Sequence, residues 1–254
     1  MTFDDYIKNP MGKKNAVFSN MQMYRSMYKQ KLDNILLREA GSITFFLYKN
    51  GADYLVHIKI PSEVVPKLYY DTVVEFSTLN PITRMKTDLK EYDVKFYSND
   101  PSFCFTFAHA FRKHNMFVEM LKPKMSKLSL NNVAKERNAG DNVGYVKSIF
   151  FLYLIMNSRG LFDKKVFDAY AKSFNKKYFI DSIEHADIKI QQRIEEGNRI
   201  QKEKRAKKQQ TQTIKREPND NVISKKENVK QPIKAVTKTK TTNKTKTSSV
   251  VKKK

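Results

Sequence analysis

The sequence predicts an α+β protein: about five antiparallel strands, forming a small curved sheet or barrel, then a helical bundle and a disordered basic tail. Three observations predict it. Between about 33 and 97, short apolar-alternating runs are separated by turn residues, which is the period of strands. After Asn99-Asp100-Pro101 the apolar spacing lengthens to three and four, the period of helices. The 13 Tyr and 17 Phe all precede position 181, and Gln201–Lys254 carries 18 Lys/Arg against 4 Asp/Glu, a net +14. Such a segment buries too little apolar surface to offset its ordering entropy. Strands first and helices after define the α+β class. The segments are 1–18, an N-terminal segment holding the turn-like basic stretch Pro10–Lys14; 19–98, a helix plus the β unit; 99–209, helical with a long charged C-terminal helix; and 210–254, the disordered Lys/Thr-rich tail.

The elements follow in order. Ser19 or Asn20 caps a helix with Met23, Tyr24, Met27, Tyr28 and Leu32 in its stripe, up to about Lys31. The strands are Asn34–Glu39, Ser42–Tyr48, Asp53–Ile60, Tyr70–Phe76 and Tyr92–Tyr97. Asn50-Gly51 is a hairpin signal, because both residues tolerate positive φ. Asp100 caps the next helix with Pro101 at its first position and Phe103, Phe107, Ala110 and Phe111 on its apolar face. Met125, Leu128, Leu130 and Val133 mark a short helix. Val143–Ser158 is a helix apolar nearly all round and therefore central. Arg159-Gly160 ends it. Asp163–Lys172 is a short helix, and Ser173 or Asn175 opens a long charged one.

Composition removes several classes of function. Cys104 is the single cysteine, so an internal disulfide and a cysteine-based zinc site are excluded. The longest apolar run, Ile149–Met156, is far short of the roughly 20 residues a membrane-spanning helix needs, and no membrane partner is expected. The acidic, polar start is unlike a secretory signal, so the expected setting is the inside of a cell or a particle assembled there. Gly12-Lys13-Lys14 lacks the upstream glycine and the following Ser/Thr of a phosphate loop. His109 and His114, like Cys104 and His109, are five apart and share no helix face. No nucleophile elbow is present, and nothing in the spacing of Glu63, Glu75, Asp88, Glu91 and Asp93 selects a carboxylate pair. The expectation is no catalytic residues, no metal and no cofactor.

What remains is charge. The net +23 points to a polyanionic partner. Lys202, Lys204, Arg205, Lys207 and Lys208 extend the long helix into the tail, with Lys252, Lys253 and Lys254 at the end. They are the candidate nucleic-acid contacts. Lysine outnumbers arginine, and lysine is a point charge that suits phosphate better than base edges. Binding should therefore be sequence-tolerant and salt-sensitive. A second possibility is that Phe45, Phe46, Tyr48, Tyr54, Tyr69, Tyr70, Phe76, Tyr92, Phe96 and Tyr97 include a stacking surface for single strands. Lys49, Lys59, Lys67 and Lys95 would then meet the phosphates. The alternative is that these aromatics are core.

At Thr2–Lys13, Pro61-Ser-Glu-Val-Val-Pro66, Ser98–Phe103 and Lys124–Leu128, the chain resembles small uncharacterised proteins of tailed bacteriophages of low-GC Gram-positive hosts. The resemblance covers most of residues 1–200. It implies a phage setting, with other virion or phage proteins as partners, and supplies no site residues. The reading is a non-enzymatic phage protein, virion-associated or assembly-related, with a basic tail on nucleic acid. An accessory protein that binds single strands in replication or recombination is the alternative, and an enzyme without a recognisable motif is the third.

Overall fold

The computed structural model describes residues 1–8, 21–38, 43–63, 65–77, 81–136, 138 and 140–214. Its centre is a five-stranded sheet in the order β4-β3-β2-β1-β5. The strands are β1 (Thr44–Asn50), β2 (Asp53–Pro61), β3 (Tyr69–Ser77), β4 (Asp93–Ser98) and β5 (Lys172–Ser173). The first four pair antiparallel with their neighbours. β5 pairs parallel with β1, through Tyr48↔Lys172 and Lys49↔Ser173. The sheet is therefore mixed and open, which corrects the all-antiparallel expectation, and it is not a barrel.

The β1–β2 hairpin is where the sequence placed it, with the turn one residue later. Asn50 pairs with Asp53, so Gly51 and Ala52 form the loop, and Gly51 takes φ +61°. Positive φ at the first loop position alone is the arrangement of a type II′ turn, which favours glycine there. Two helices come before the sheet, α1 (Phe3–Lys8) and α2 (Met21–Arg38). The run 34–39, expected as the first strand, is helical as far as Arg38. It completes α2, burying Leu32 and Ile35 and leaving Leu36 exposed. Tyr28, Leu32 and Ile35 are spaced by four and three, and leucine is a good helix former. A single turn, α3 (Pro81–Arg84), stands between β3 and β4.

The two central strands are buried on both faces, as strands between helical layers are. On one face Phe76 and Phe96 meet Phe3 of α1, with ring centroids 5.9 and 5.0 Å apart. On the other face Tyr97 meets Phe117, and Tyr48 meets Phe179. No element was expected before residue 19, yet α1 forms and Phe3, Tyr6 and Ile7 are all core. The Gly12-Lys13 stretch and the Ser19/Asn20 cap lie outside the described residues.

The later helices mostly begin where capping residues stand. Asp100 Oδ1 accepts from Ser102 N at 2.7 Å and Phe103 N at 3.4 Å, capping the turn that opens with Pro101. A wide turn, Phe103–Phe107, then leads into α4 (Ala108–Lys113). α5 spans Lys127–Asn131. α6 (Lys147–Ser158) lies against β3 and β4, on the face that Phe3 also covers. It starts four residues later than expected because 143–146 is held extended. The Tyr6 hydroxyl donates to Gly144 O at 2.7 Å and accepts from Val146 N at 3.0 Å. α7 (Lys164–Tyr170) and α8 (Lys176–Ser182) are capped by Asp163 and Asn175. The single long charged helix expected here is two helices, α8 and α9 (Ala186–Ile214). The break at 183–185 buries Ile183 and gives the Glu184 N–H to Asp71 Oδ2 at 3.3 Å. This packing belongs to the unit Met1–Lys207, and Lys208–Lys254 is a second unit.

Candidate nucleic-acid interface

The predicted contacts ride on α9. Its first turns are anchored: Ala186 is buried, and Lys189, 6% exposed, pairs with Glu184 at 2.8 Å. Further along, Arg199 joins Glu196 and reaches Glu203 at 2.7 Å, so this stretch is internally neutralised. The paired carboxylates raise the Arg199 pKa, and the Arg199 hydrogen bond lowers that of Glu196.

From Gln201 to Lys207 every residue is exposed. At about 100° per residue, Lys202, Lys204, Arg205 and Lys207 point to four different sides of the helix axis, so the cations ring it. Glu203 is the one acid among them, and Arg199 holds it. Lys208 falls within α9, though its side chain is outside the described residues. Lys252, Lys253 and Lys254 are outside them as well, as is the whole stretch 215–254. The structure thus places five of the eight predicted residues on α9 and describes the side chains of four.

The alternative stacking surface is largely core. Tyr54, Tyr70, Phe76, Tyr92, Phe96 and Tyr97 are all buried. Phe45, Phe46, Tyr48 and Tyr69 are half-buried. Two of the lysines expected beside them have other tasks: Lys49 pairs with Asp168 at 3.0 Å, and Lys59 stands 3.8 Å from Asp71. Along β1, which β5 pairs only at Tyr48 and Lys49, Phe45 and Phe46 keep part of their surface open to solvent with cations nearby. Sequence reading named those rings but not the cations, which come from the ends of distant elements.

Among the described residues Asp71 is the most deeply buried carboxylate. His57 Nε2 lies 2.8 Å from its Oδ1, and Asn99 Nδ2 donates to Oδ2 at 2.9 Å. Burial pushes the Asp71 pKa up. The His57 hydrogen bond and charge, then Lys59 and Asn99, outweigh that and leave it lowered. His57 is fully buried, with Phe46 stacked on it at 5.3 Å and its Nδ1 unpartnered. A dyad sealed this way ties β2 to β3 and to the α8–α9 junction. Among the described residues, no group of three or more His, Cys, Asp or Glu is placed to hold a metal ion. Cys104 is buried in the aromatic core, and burial raises its pKa well above the ordinary thiol value. No helix among them is long and apolar enough to cross a membrane. Comparison with protein-family models, curated proteins and solved structures finds no match to this chain.

Proposed function

We propose that this chain is a non-enzymatic phage protein, virion-associated or assembly-related, that holds nucleic acid through a basic helical arm. The observation that carries the reading is the fully exposed run Gln201–Lys207, with cations on every side of α9 and a sequence that stays strongly positive to Lys254. A ring of lysines offers no fixed fork for a base edge and suits the phosphate backbone from any approach. The phage setting rests on the sequence resemblance. The helix-covered sheet serves as the rigid body from which the arm extends.

The test is affinity for duplex DNA at several salt concentrations. The full chain is compared with a variant carrying Lys202→Gln, Lys204→Gln, Arg205→Gln, Lys207→Gln and Lys208→Gln. Each contacting cation contributes about 0.9 to the slope of log affinity against log salt. The variant should bind more weakly and with a shallower slope by several such steps. Equal affinity and slope would remove the arm from nucleic-acid binding.

A further inference from the structure

A second binding feature lies at the open edge of the sheet, independent of the arm. A cavity of about 600 Å³ is lined by Phe45, Phe46, Leu47, Arg159, Leu161, Tyr170 and Lys172. That volume falls within the range of small-molecule sites. Three separate features of its wall converge on one chemistry.

The first is aromatic surface. Phe45 and Phe46 come from β1, and Tyr170, 71% exposed, comes from the end of α7. The second is charge. Arg159, just past the end of α6, lies over the Phe45 ring at 5.7 Å, and Lys172 on β5 also lines the cavity. Among the described residues neither cation is in an ion pair, and no carboxylate lines the wall. The third is backbone. In a two-residue hairpin the pair next to the loop exchanges both hydrogen bonds, and the pattern then alternates. From Asn50↔Asp53, the N–H and C=O of Tyr48, Phe46 and Thr44 face β2, and those of Lys49, Leu47 and Phe45 face outward. The Lys49 carbonyl accepts from Phe174 N at 3.2 Å, as this phase requires. β5 covers the edge only at Tyr48 and Lys49, so Phe45 and Leu47 present their backbone groups toward the cavity.

Stacking faces, cations without counter-charge, and paired donors and acceptors are the three parts of nucleotide recognition. We propose that this cavity binds a nucleobase bearing a phosphate. The base lies on Tyr170, its edge meets the β1 backbone, and its phosphate meets Lys172 and the Arg159 guanidinium held over the Phe45 ring. An added peptide strand fits the edge less well. β5 blocks it after Leu47, which leaves only two outward-facing residues to pair.

The site would serve either a free nucleotide or one base of a single strand, and the probes separate these. With the full-length protein, binding of AMP, UMP, adenosine and oligothymidylate is measured at about half-molar salt, where phosphate-only contacts of the arm are screened. Binding of AMP or UMP that drops at least about fivefold in Tyr170→Ala and in Arg159→Ala supports a free-nucleotide site. Adenosine, which lacks the phosphate, should then bind more weakly and be insensitive to Arg159→Ala. Salt-resistant binding of oligothymidylate alone, lost in the same variants, supports a single-strand base site. Tyr170 and Arg159 are exposed, so their variants retain the fold, whereas Phe45→Ala removes a ring packed against the core. Binding that is equal in wild type and both variants overturns the proposal, as does absence of binding to every probe. Capture of an acidic peptide in place of nucleotides also overturns it. The quintuple arm variant should keep the salt-resistant binding unchanged, so failure here and failure of the arm are read separately.

Discussion

Asp71 shows how one residue can join several elements. It sits on β3, takes hydrogen bonds from His57 of β2, from Asn99 just beyond β4 and from the Glu184 N–H before α9, and is 2% exposed. Its lowered pKa fixes the sign of a pH dependence. In the unfolded chain the carboxyl titrates near pH 3.9. Above that value the stabilisation is fully present, and it is lost as pH falls through the lower native value. Stability measured by urea unfolding should therefore fall steeply below about pH 4. Asp71→Asn should flatten that fall and lower stability at pH 7 by about 3 kcal/mol, because a buried pair loses one partner. An unchanged acid profile in the variant would assign the effect to other carboxylates, Asp141 beside His109 and Lys113 being the next in line. None of this is legible in the sequence, where His57 and Asp71 are merely polar residues on alternating strands. Register, not composition, brings them together.

At the scale of elements, legibility follows how local the signal is. The Gly51 turn, the Asp100, Asp163 and Asn175 caps and the Arg159-Gly160 stop are local chemistry, and all stand within a residue of their expected places. The strand expected at 34–39 failed because a short Ile-Leu-Leu run fits a strand or a helix equally well. Only the partner surface, α6 packed against α2, decides between them. The start of α6 failed for a related reason. Gly144 has the ring of Phe107 where a Cβ would stand, and Tyr6 takes the neighbouring backbone groups, so 143–146 is drawn straight by tertiary contacts. Gly144→Ala should accordingly destabilise by about 1–3 kcal/mol through overpacking. A denaturant midpoint within error of wild type would show that Phe107 moves aside freely.

Across the whole molecule, charge and core are segregated. Aromatic residues fill both faces of the sheet, while the run Gln201–Lys207 of α9 carries four exposed cations and buries no residue. Long sequence separations supply the second cover, with Phe117 and Phe179 closing over Tyr97 and Tyr48. Of the candidate interface, the arm was legible because net charge needs no fold to be counted. The edge cavity was half legible: Phe45 and Phe46 were named as stacking candidates, and Tyr170, Arg159 and Lys172 were not named as ligand contacts. Segregation implies that the arm can be neutralised without structural cost. The five Gln substitutions should leave the unfolding free energy within about 0.5 kcal/mol of wild type. A larger loss would mean that α9 past Ile200 supports the body.

The Tyr6 clamp also sets a schedule for synthesis. Its hydroxyl bridges to backbone groups 138 and 140 residues further on. At roughly 5–20 residues per second, the ribosome needs about 7–28 s to make that distance. Throughout that interval Phe3, Tyr6 and Ile7 have no partner on the later segment to close against. The fold therefore cannot close until Gly144 and Val146 have been made, and until then Phe3 and Tyr6 can pack on the sheet, through Phe76 and Phe96.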